Sequence, residues 1–149
     1  MATGRRLHEA LSGRRLTRLE YEHALPRLQD ALLDAQFTLA RSRRHAVVMI
    51  VTGIPAAGRS EVVNELLGWL DPKLATVYGF HAPNDVECER PALWRYWRLM
   101  PPKGRIAILH GGWYQDLLLG AAGLGIKAES NPAQLRQGVA RVRQLEQML

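Results

Sequence analysis

The first third of the chain carries apolar residues at alternating steps of three and four, which is the spacing of an amphipathic helix. The segment TRLE at Thr17 has the pattern of a capping box, in which Glu20 reaches back to the residue that caps the helix. The pattern predicts a helix from Thr17 to about Arg43, bent or restarted at Pro26, because proline removes a backbone hydrogen bond. Its predicted buried stripe is Leu25, Leu28, Leu32, Ala35 and Leu39.

Three short apolar runs follow at residues 47–52, 75–80 and 105–110. The first is unbroken, which is typical of a parallel strand that helices cover on both faces. Helical spacing returns between and after the runs, so the chain alternates between helix and strand. This order predicts an α/β fold with a parallel sheet that is truncated after its third strand.

The segments between the strands are predicted as follows. A helix with a stripe of Val62, Val63, Leu66, Leu67 and Leu70 follows the first strand. A polar loop at 81–90 precedes a helix that Pro91 opens, with Leu93, Trp94, Trp97 and Met100 on it. The last helix has Asn131 as its cap and Pro132 at its first position, and its predicted buried stripe is Leu135, Val139, Val142 and Leu145.

Composition bounds the class of protein. The chain has 149 residues, which suits one domain, and its only cysteine, Cys88, favours a reducing compartment. We therefore expect a cytoplasmic protein with no membrane partner. The net charge is +6, with the excess concentrated before Ala46, and this favours polyanionic partners. We expect a flexible basic arm at residues 1–15 and one domain at 16–149.

The segment GIPAAGRS, residues 53–60, has the outline of a phosphate-binding loop. It matches G-x-x-x-x-G-K-[ST] except that Arg59 replaces the lysine, and it lies between a predicted buried strand and a helix. Backbone amides and the helix dipole can hold an anion there. The candidate phosphate-binding residues are Gly53, Gly58, Arg59 and Ser60. The alternative is that the two glycines serve only a tight turn and helix packing.

Such a loop needs an acid at the end of a neighbouring strand to hold magnesium, and His110 stands at that place. Magnesium prefers oxygen ligands, so the favoured interpretation of His110 is a histidine that a backbone partner satisfies. Asp85, Glu87 and Glu89 would compensate only if their loop folded over the phosphates.

The segment WRYWR, residues 94–98, alternates aromatic and basic side chains. It would suit stacking on nucleic acid, but on a helix Trp94 and Trp97 share one face while Arg95 and Arg98 share another. We therefore interpret it as an amphipathic core helix with an exposed basic face.

From about Leu16 to Leu149 the sequence resembles the polyphosphate kinase 2 family. It is most similar to the N-terminal half of the tandem members known as polyphosphate:AMP phosphotransferases. Ordered segments carry the resemblance: YEHALPRLQDALLDAQFTLARSRRHAVVMIVTG, GIPAAGRS against the family's G-W-D-A-A-G-K-G, LDPK, APNDVE, RPALWRYWRLMPPKGRIAIL, and HGGWYQD against D-R-S-W-Y-N-R.

The resemblance implies a P-loop kinase-like three-layer fold, with a magnesium-dependent transfer of phosphate between polyphosphate and AMP or ADP. It also implies losses in this chain. Pro55 and His110 occupy the family's two acidic positions, Arg59 replaces the loop lysine, and Gln115 stands for the asparagine after WY. On this basis no catalytic or metal-binding residue is assigned.

Our leading hypothesis is a non-catalytic N-terminal scaffold that pairs with a catalytic second domain or with another copy of itself. One alternative is an active phosphotransferase that uses Arg59 and Ser60. Another is a module that binds nucleic acid or another polyanion through the basic arm, and of these ligands nucleic acid is the less favoured.

Overall fold

The computed structural model describes residues 16–54, 56–91, 93–121 and 132–149. The predicted basic arm at 1–15, the predicted cap Asn131 and the loop residue Pro55 lie outside these ranges. In chain order the elements are α1 (Arg18–Ser42), β1 (Val47–Val51), α2 (Arg59–Trp69), β2 (Ala75–Gly79), α3 (Asp85–Cys88), α4 (Trp94–Trp97), β3 (Ile106–His110), α5 (Gln115–Ala121) and α6 (Pro132–Met148).

The three strands form one parallel sheet in the order β1-β3-β2. The last residues of all three strands are in register, since His110 pairs with Val51 on one side and with Gly79 on the other. The predicted α/β fold with a parallel sheet is confirmed. The loops that follow β1, β2 and β3 therefore begin at the same edge of the sheet.

Helices cover both faces of the sheet, as the three-layer prediction requires. Alternate residues of β3 point in opposite directions, so Ile106 and Ile108 pack with residues of α1 and α2. Ala107 and Leu109 pack with α4, α6 and the segment after β3. Ile108 and Leu109 are fully buried, which makes β3 the centre of the core.

The first strand is less buried than its sequence predicts. All five residues of β1 are only half-buried, although the run is entirely apolar. The reason is its position, because among the described residues β1 has a hydrogen-bonded neighbour only on the β3 side. An apolar run thus identified the strand but not its place in the sheet.

The first helix begins as predicted and buries part of the predicted stripe, since Leu32 and Leu39 are half-buried and pack against the core. Both bonds of the capping box between Thr17 and Glu20 are present. The helix continues without interruption through Pro26, so the predicted restart does not occur. Leu28 and Ala35 of the predicted stripe are exposed, and the most buried side chain is that of Gln36, at 2% exposure.

Gln36 is buried because its amide satisfies backbone groups of the turn after α2. Its Nε2 donates to the Asp71 carbonyl oxygen at 3.1 Å, and its Oε1 accepts from the Asp71 N–H at 2.8 Å. A buried amide with both ends bonded avoids the cost of an unsatisfied polar group. The predicted apolar stripe is therefore correct only in part, because the polar Gln36 lies on the same face between Leu32 and Leu39.

The predicted stripe of α2 is too wide. Val63 and Leu70 are buried and Leu66 is half-buried, whereas Val62 and Leu67 are exposed. The buried residues follow steps of three and four, so a single narrow stripe faces the sheet.

The connection between β2 and β3 departs most from prediction. The predicted polar loop at 81–90 contains the one-turn helix α3, which Asn84 caps through the Glu87 N–H at 2.9 Å. The helix predicted after Pro91 is a single turn, α4, in which Tyr96 is buried and Trp97 is 53% exposed. The predicted pairing of Trp94 with Trp97 on one buried face is therefore wrong.

Arg95 is likewise not on an exposed basic face. Its guanidinium lies 5.2 Å from the centre of the Phe80 ring and donates to the His81 carbonyl oxygen at 2.9 Å. Its Nε lies 3.5 Å from the Glu87 carboxylate, an ion pair without a hydrogen bond at that nitrogen. Arg95 thus joins α3, α4 and the end of β2.

The last helix packs on the segment that follows β3. Val142 and Leu145 are buried as predicted, while Val139 is 41% exposed. The Glu146 carboxylate accepts from Trp113 Nε1 at 3.2 Å and from the Tyr114 hydroxyl. The bond to Glu146 raises the pKa of Tyr114, and burial adds to the shift.

In the part of the chain that the structure describes, no helix combines the length and apolar character needed to cross a bilayer.

Candidate functional site

The predicted phosphate loop lies between β1 and α2, as its sequence indicates. Gly58 has φ of 76°, a left-handed conformation that a glycine adopts without strain, and it is the N-cap of α2. It offers no side chain to the first turn of the helix. The N–H groups of that turn are therefore available to an anion, and the helix dipole favours negative charge at this end.

Arg59 turns back across the loop. Its Cγ and Cδ would lie 3.7 Å from a Cβ at Gly53, and its Nη1 donates to Gln115 Oε1 at 2.9 Å. Ser60, the next residue, is exposed and makes no side-chain hydrogen bond within the described ranges. Gly53, Gly58, Arg59 and Ser60 thus come together around one short loop.

Gln115 is the residue that the fold adds to this loop. Its Oε1 accepts from three donors, namely the Thr52 hydroxyl at 2.6 Å, the Gly53 N–H at 3.3 Å and Arg59. Its Nε2 donates to the Gly53 carbonyl oxygen at 2.9 Å. Gln115 is the first residue of α5, so a side chain that follows β3 closes the loop that follows β1.

One carboxylate also approaches the start of α2. Glu61 Oε2 would lie 3.9 Å from a Cβ at Gly58, and Glu61 is in the first turn of the helix. A negative charge there is stabilised by the helix dipole, and it repels an anion at the same place. Glu61 would therefore compete with any anion at the positive end of α2.

His110 lies at the carboxyl end of β3, next to Val51 in register. Its Nε2 is buried without a hydrogen-bond partner among the described residues. The interpretation of His110 as a histidine satisfied by the backbone is therefore wrong for this nitrogen.

The residues at this edge do not fit a magnesium ion. Nowhere in the described ranges do three His, Cys, Asp or Glu residues cluster so as to hold a metal. The strand-end side chain of β3 is a histidine, the loop is closed by a carboxamide, and the one carboxylate described near the loop, Glu61, lies in the first turn of α2. Magnesium in phosphate sites usually takes one or two carboxylates with the phosphates. The second predicted acidic position, Pro55, lies outside the described residues.

The acids after β2 are not drawn into the loop. Asp85 and Glu89 are exposed, and Glu87 caps α3 and pairs with Arg95. Among the described residues none of the three carboxylates forms a hydrogen bond or ion pair with Arg59. The structure thus gives Glu87 a local role in the connection between β2 and β3 and leaves the side chains of Asp85 and Glu89 exposed.

Three participants were not identified as site residues from sequence. Thr52 and Glu61 flank the motif, and their types alone do not set them apart from other polar residues. Gln115 was noted only as a replacement for the family asparagine. Its position in the sequence could have identified it, because Gln115 follows shortly after the strand-end residue His110.

A family model described as polyphosphate kinase 2 matches residues 15–149. A polyphosphate:AMP phosphotransferase of Pseudomonas aeruginosa is 40% identical over 129 residues, which are 87% of this chain and 25% of that protein. An ADP-polyphosphate phosphotransferase of Rhodopseudomonas palustris is 35% identical over 101 residues, covering 67% of this chain and 35% of that protein.

A crystal structure described as a polyphosphate kinase 2 from Pseudomonas aeruginosa superposes with a TM-score of 0.81 at 38% identity, over 93% of this chain and 29% of that one. A polyphosphate kinase 2 structure from Arthrobacter aurescens shares the fold, with a TM-score of 0.74 at 22% identity over 92% of this chain and 48% of that one. The chain spans about a quarter of the length of the polyphosphate:AMP phosphotransferases that it matches. With the loop, the parallel sheet and these similarities together, the chain belongs to the polyphosphate kinase 2 family.

Proposed function

We propose that this chain is a non-catalytic scaffold domain of a polyphosphate-dependent nucleotide phosphotransferase. Its loop binds a polyphosphate-type anion and does not transfer phosphate. The observation that carries the proposal is the contact between Gln115 and Arg59 at 2.9 Å. The neutral carboxamide of Gln115 holds the Arg59 guanidinium at the carboxyl edge of the sheet. Phosphate transfer needs a carboxylate at this edge to bind the metal.

The chemistry of transfer gives the physical reason. Phosphoryl transfer depends on positioning and on neutralising charge on the transferred group, which magnesium and its acidic ligands provide. Here His110 ends β3 and Gln115 begins α5, and neither is an anionic oxygen ligand. Arginine also binds phosphate as a planar fork, whereas the loop lysine is a compact charge. These features support anion binding more strongly than catalysis.

The relatives named above are phosphotransferases of polyphosphate with AMP or ADP. We propose that polyphosphate is the anion that this loop binds, and that AMP or ADP is phosphorylated in a catalytic partner. The magnesium required for transfer would then be held by that partner. Because AMP and ADP are cytoplasmic and the free Cys88 is exposed, we propose a cytoplasmic location.

An apolar surface supports the scaffold role. A cavity of about 530 Å³ lies between α4 with its flanking residues and the C-terminal part of α6. Trp97 and Leu149 on this surface are 53% and 62% exposed. Exposed apolar surface of this kind is typical of interaction sites. We propose that a catalytic domain of the same family covers this surface. A dimer of the chain by itself in a sedimentation experiment would instead indicate that a second copy covers it.

A coupled assay tests the absence of catalysis. Wild type, Arg59→Ala and Ser60→Ala are incubated with polyphosphate, magnesium and AMP or ADP, and an active family member serves as the positive control. We expect the three samples to give the same background rate. Turnover of the wild type well above both variants would instead establish the active enzyme that uses Arg59 and Ser60.

Calorimetry with inorganic tetrapolyphosphate tests the anion site separately. We expect Arg59→Ala to weaken binding about tenfold or more, because a charge-assisted contact contributes about 1.5–3 kcal/mol. Arg136→Ala is the matched control, since Arg136 is an exposed arginine on α6, and we expect it to bind like the wild type. Equal losses in both variants would indicate general attraction to a basic protein and contradict a specific site.

A further inference from the structure

The oxygen of the Gln115 side chain is surrounded in the way that a bound anion would be. A hydroxyl, a backbone N–H and a guanidinium converge on it from Thr52, Gly53 and Arg59, at 2.6, 3.3 and 2.9 Å. We propose that Gln115 occupies the anion position of the loop, and that an anion binds by displacing it. This inference rests on the proposed function, because it assigns an internal competitor to the same loop.

The donors favour a charged oxygen over a neutral one. A phosphate oxygen would take the same three hydrogen bonds, and charge-assisted bonds are about twice as strong as neutral ones. Exchange therefore gains energy at Thr52 and Gly53, whose bonds to Gln115 are neutral. The bond from Arg59 is already charge-assisted, and it becomes an ion pair. It also has a cost, because the bond from Gln115 Nε2 to the Gly53 carbonyl is broken and phosphate offers no donor to replace it.

This cost lowers the apparent affinity of the loop. When the competent state of a site is only partly populated, the observed affinity is reduced by the populated fraction. Gln115 thus makes the loop selective for strongly charged anions, since a weakly charged one gains too little from the three donors to displace the carboxamide. Polyphosphate has several charged oxygens and meets this requirement.

The backbone next to Gln115 allows the side chain to move by itself. The Gln115 N–H bonds to the Gly112 carbonyl oxygen at 3.2 Å, which fixes the start of α5. Gly112 is held tightly against β1, since a Cβ there would lie 2.7 Å from Ile50 Cγ2. The glutamine side chain has three rotatable bonds, so it can withdraw from the loop without a change in this anchored backbone.

The test measures anion affinity and ligand-free stability of the same variants. Gln115→Ala removes the competing oxygen, and we expect it to bind inorganic tetrapolyphosphate about five- to tenfold more tightly in calorimetry without metal. We expect its melting temperature without ligand to fall, because its hydrogen bonds are lost. Gln137→Ala, at an exposed glutamine of α6, is the matched control and should change neither quantity.

Gln115→Glu gives the opposite change. A carboxylate in the same position would pair with Arg59 and repel phosphate, so we expect at least a tenfold loss of affinity. Gln115→Asn shortens the side chain by one methylene and weakens its hold on Arg59, so we expect a smaller gain of the same sign as for Gln115→Ala. This milder variant decides the question if Gln115→Ala does not fold.

The outcomes separate this inference from the proposed function. If the wild type binds through Arg59 and both Gln115→Ala and Gln115→Asn bind less tightly, Gln115 only supports the loop and the inference is wrong. If neither the wild type nor any Gln115 variant binds the anion, the loop is not an anion site and both proposals are wrong. Tighter anion binding by Gln115→Ala together with a lower melting temperature supports displacement. A purely structural role of Gln115 predicts instead that the affinity and the melting temperature both fall.

Discussion

Replacing Gln36 by methionine tests the hydrogen bonds that connect α1 to the turn after α2. Methionine keeps the size and the unbranched shape of the side chain but makes neither bond to Asp71. The two bonds measure 3.1 and 2.8 Å, and each contributes about 1 kcal/mol net. The half-buried Asp71 backbone groups would be left partly unsatisfied, which adds about 1 kcal/mol.

Burial of the thioether in place of the amide offsets about 1 kcal/mol of this loss. We therefore expect Gln36→Met to lower the free energy of unfolding by about 2 kcal/mol. For a domain of this size that corresponds to a fall in melting temperature of about 4–8 °C. Urea denaturation followed by circular dichroism at 222 nm would show a lower midpoint with an unchanged slope.

Gln29→Met is the matched control. Gln29 lies on the same helix, is half-buried, and makes no side-chain hydrogen bond within the described residues. We expect its effect to stay within about 0.5 kcal/mol. Equal midpoints for the Gln36 and Gln29 variants would refute the reasoning, because the bonds to Asp71 would then contribute nothing measurable.

Two further predictions concern the segment after β3. Gly112→Ala should lower the free energy of unfolding by about 3 kcal/mol in urea denaturation, because φ is 80° and the new Cβ would lie 2.7 Å from Ile50 Cγ2. Gly68→Ala, inside α2 with open space around it, should instead raise it by about 0.5–1 kcal/mol, and a loss of similar size in both would contradict the steric argument. The bond to Glu146 raises the pKa of Tyr114 above the ordinary tyrosine value of 10.0, so the tyrosine of the unfolded chain ionises first. This stabilisation is complete below the unfolded pKa and is lost as the pH rises through the folded pKa. The difference in urea midpoint between the wild type and Tyr114→Phe should therefore shrink from pH 8 to pH 10.5, whereas a constant difference would contradict it.

The sequence predicted the elements whose signals are local. The apolar runs identified three strands, and the glycine-bounded motif placed the loop between β1 and α2. The period of α1 was correct, but the burial of Gln36 on the same face was not predicted, because its partner is a backbone group 35 residues away. Sequence spacing carries no information about such a partner.

The contacts of Gln115 at the candidate site could not be predicted for the same reason. Gln115 meets the loop only because β1 and β3 are adjacent and in register, which no local pattern specifies. The prediction for the connection between β2 and β3 was wrong for another reason. A helix of one turn, such as α3 or α4, buries too few residues to show a period, and contacts such as those of Arg95 decide its path.

The order of the strands has a consequence for how the chain folds. Both β1 and β2 pair with β3, which follows them in sequence. During synthesis the apolar residues of β1 therefore lack this strand partner, which alone pairs with β1 among the described residues, until Ile106 and its neighbours have been made. Parallel pairing over such distances forms slowly, so the nascent chain is open to aggregation during this interval. We expect early shielding of β1 by α1 and α2, or by a chaperone, to determine the yield of folded protein.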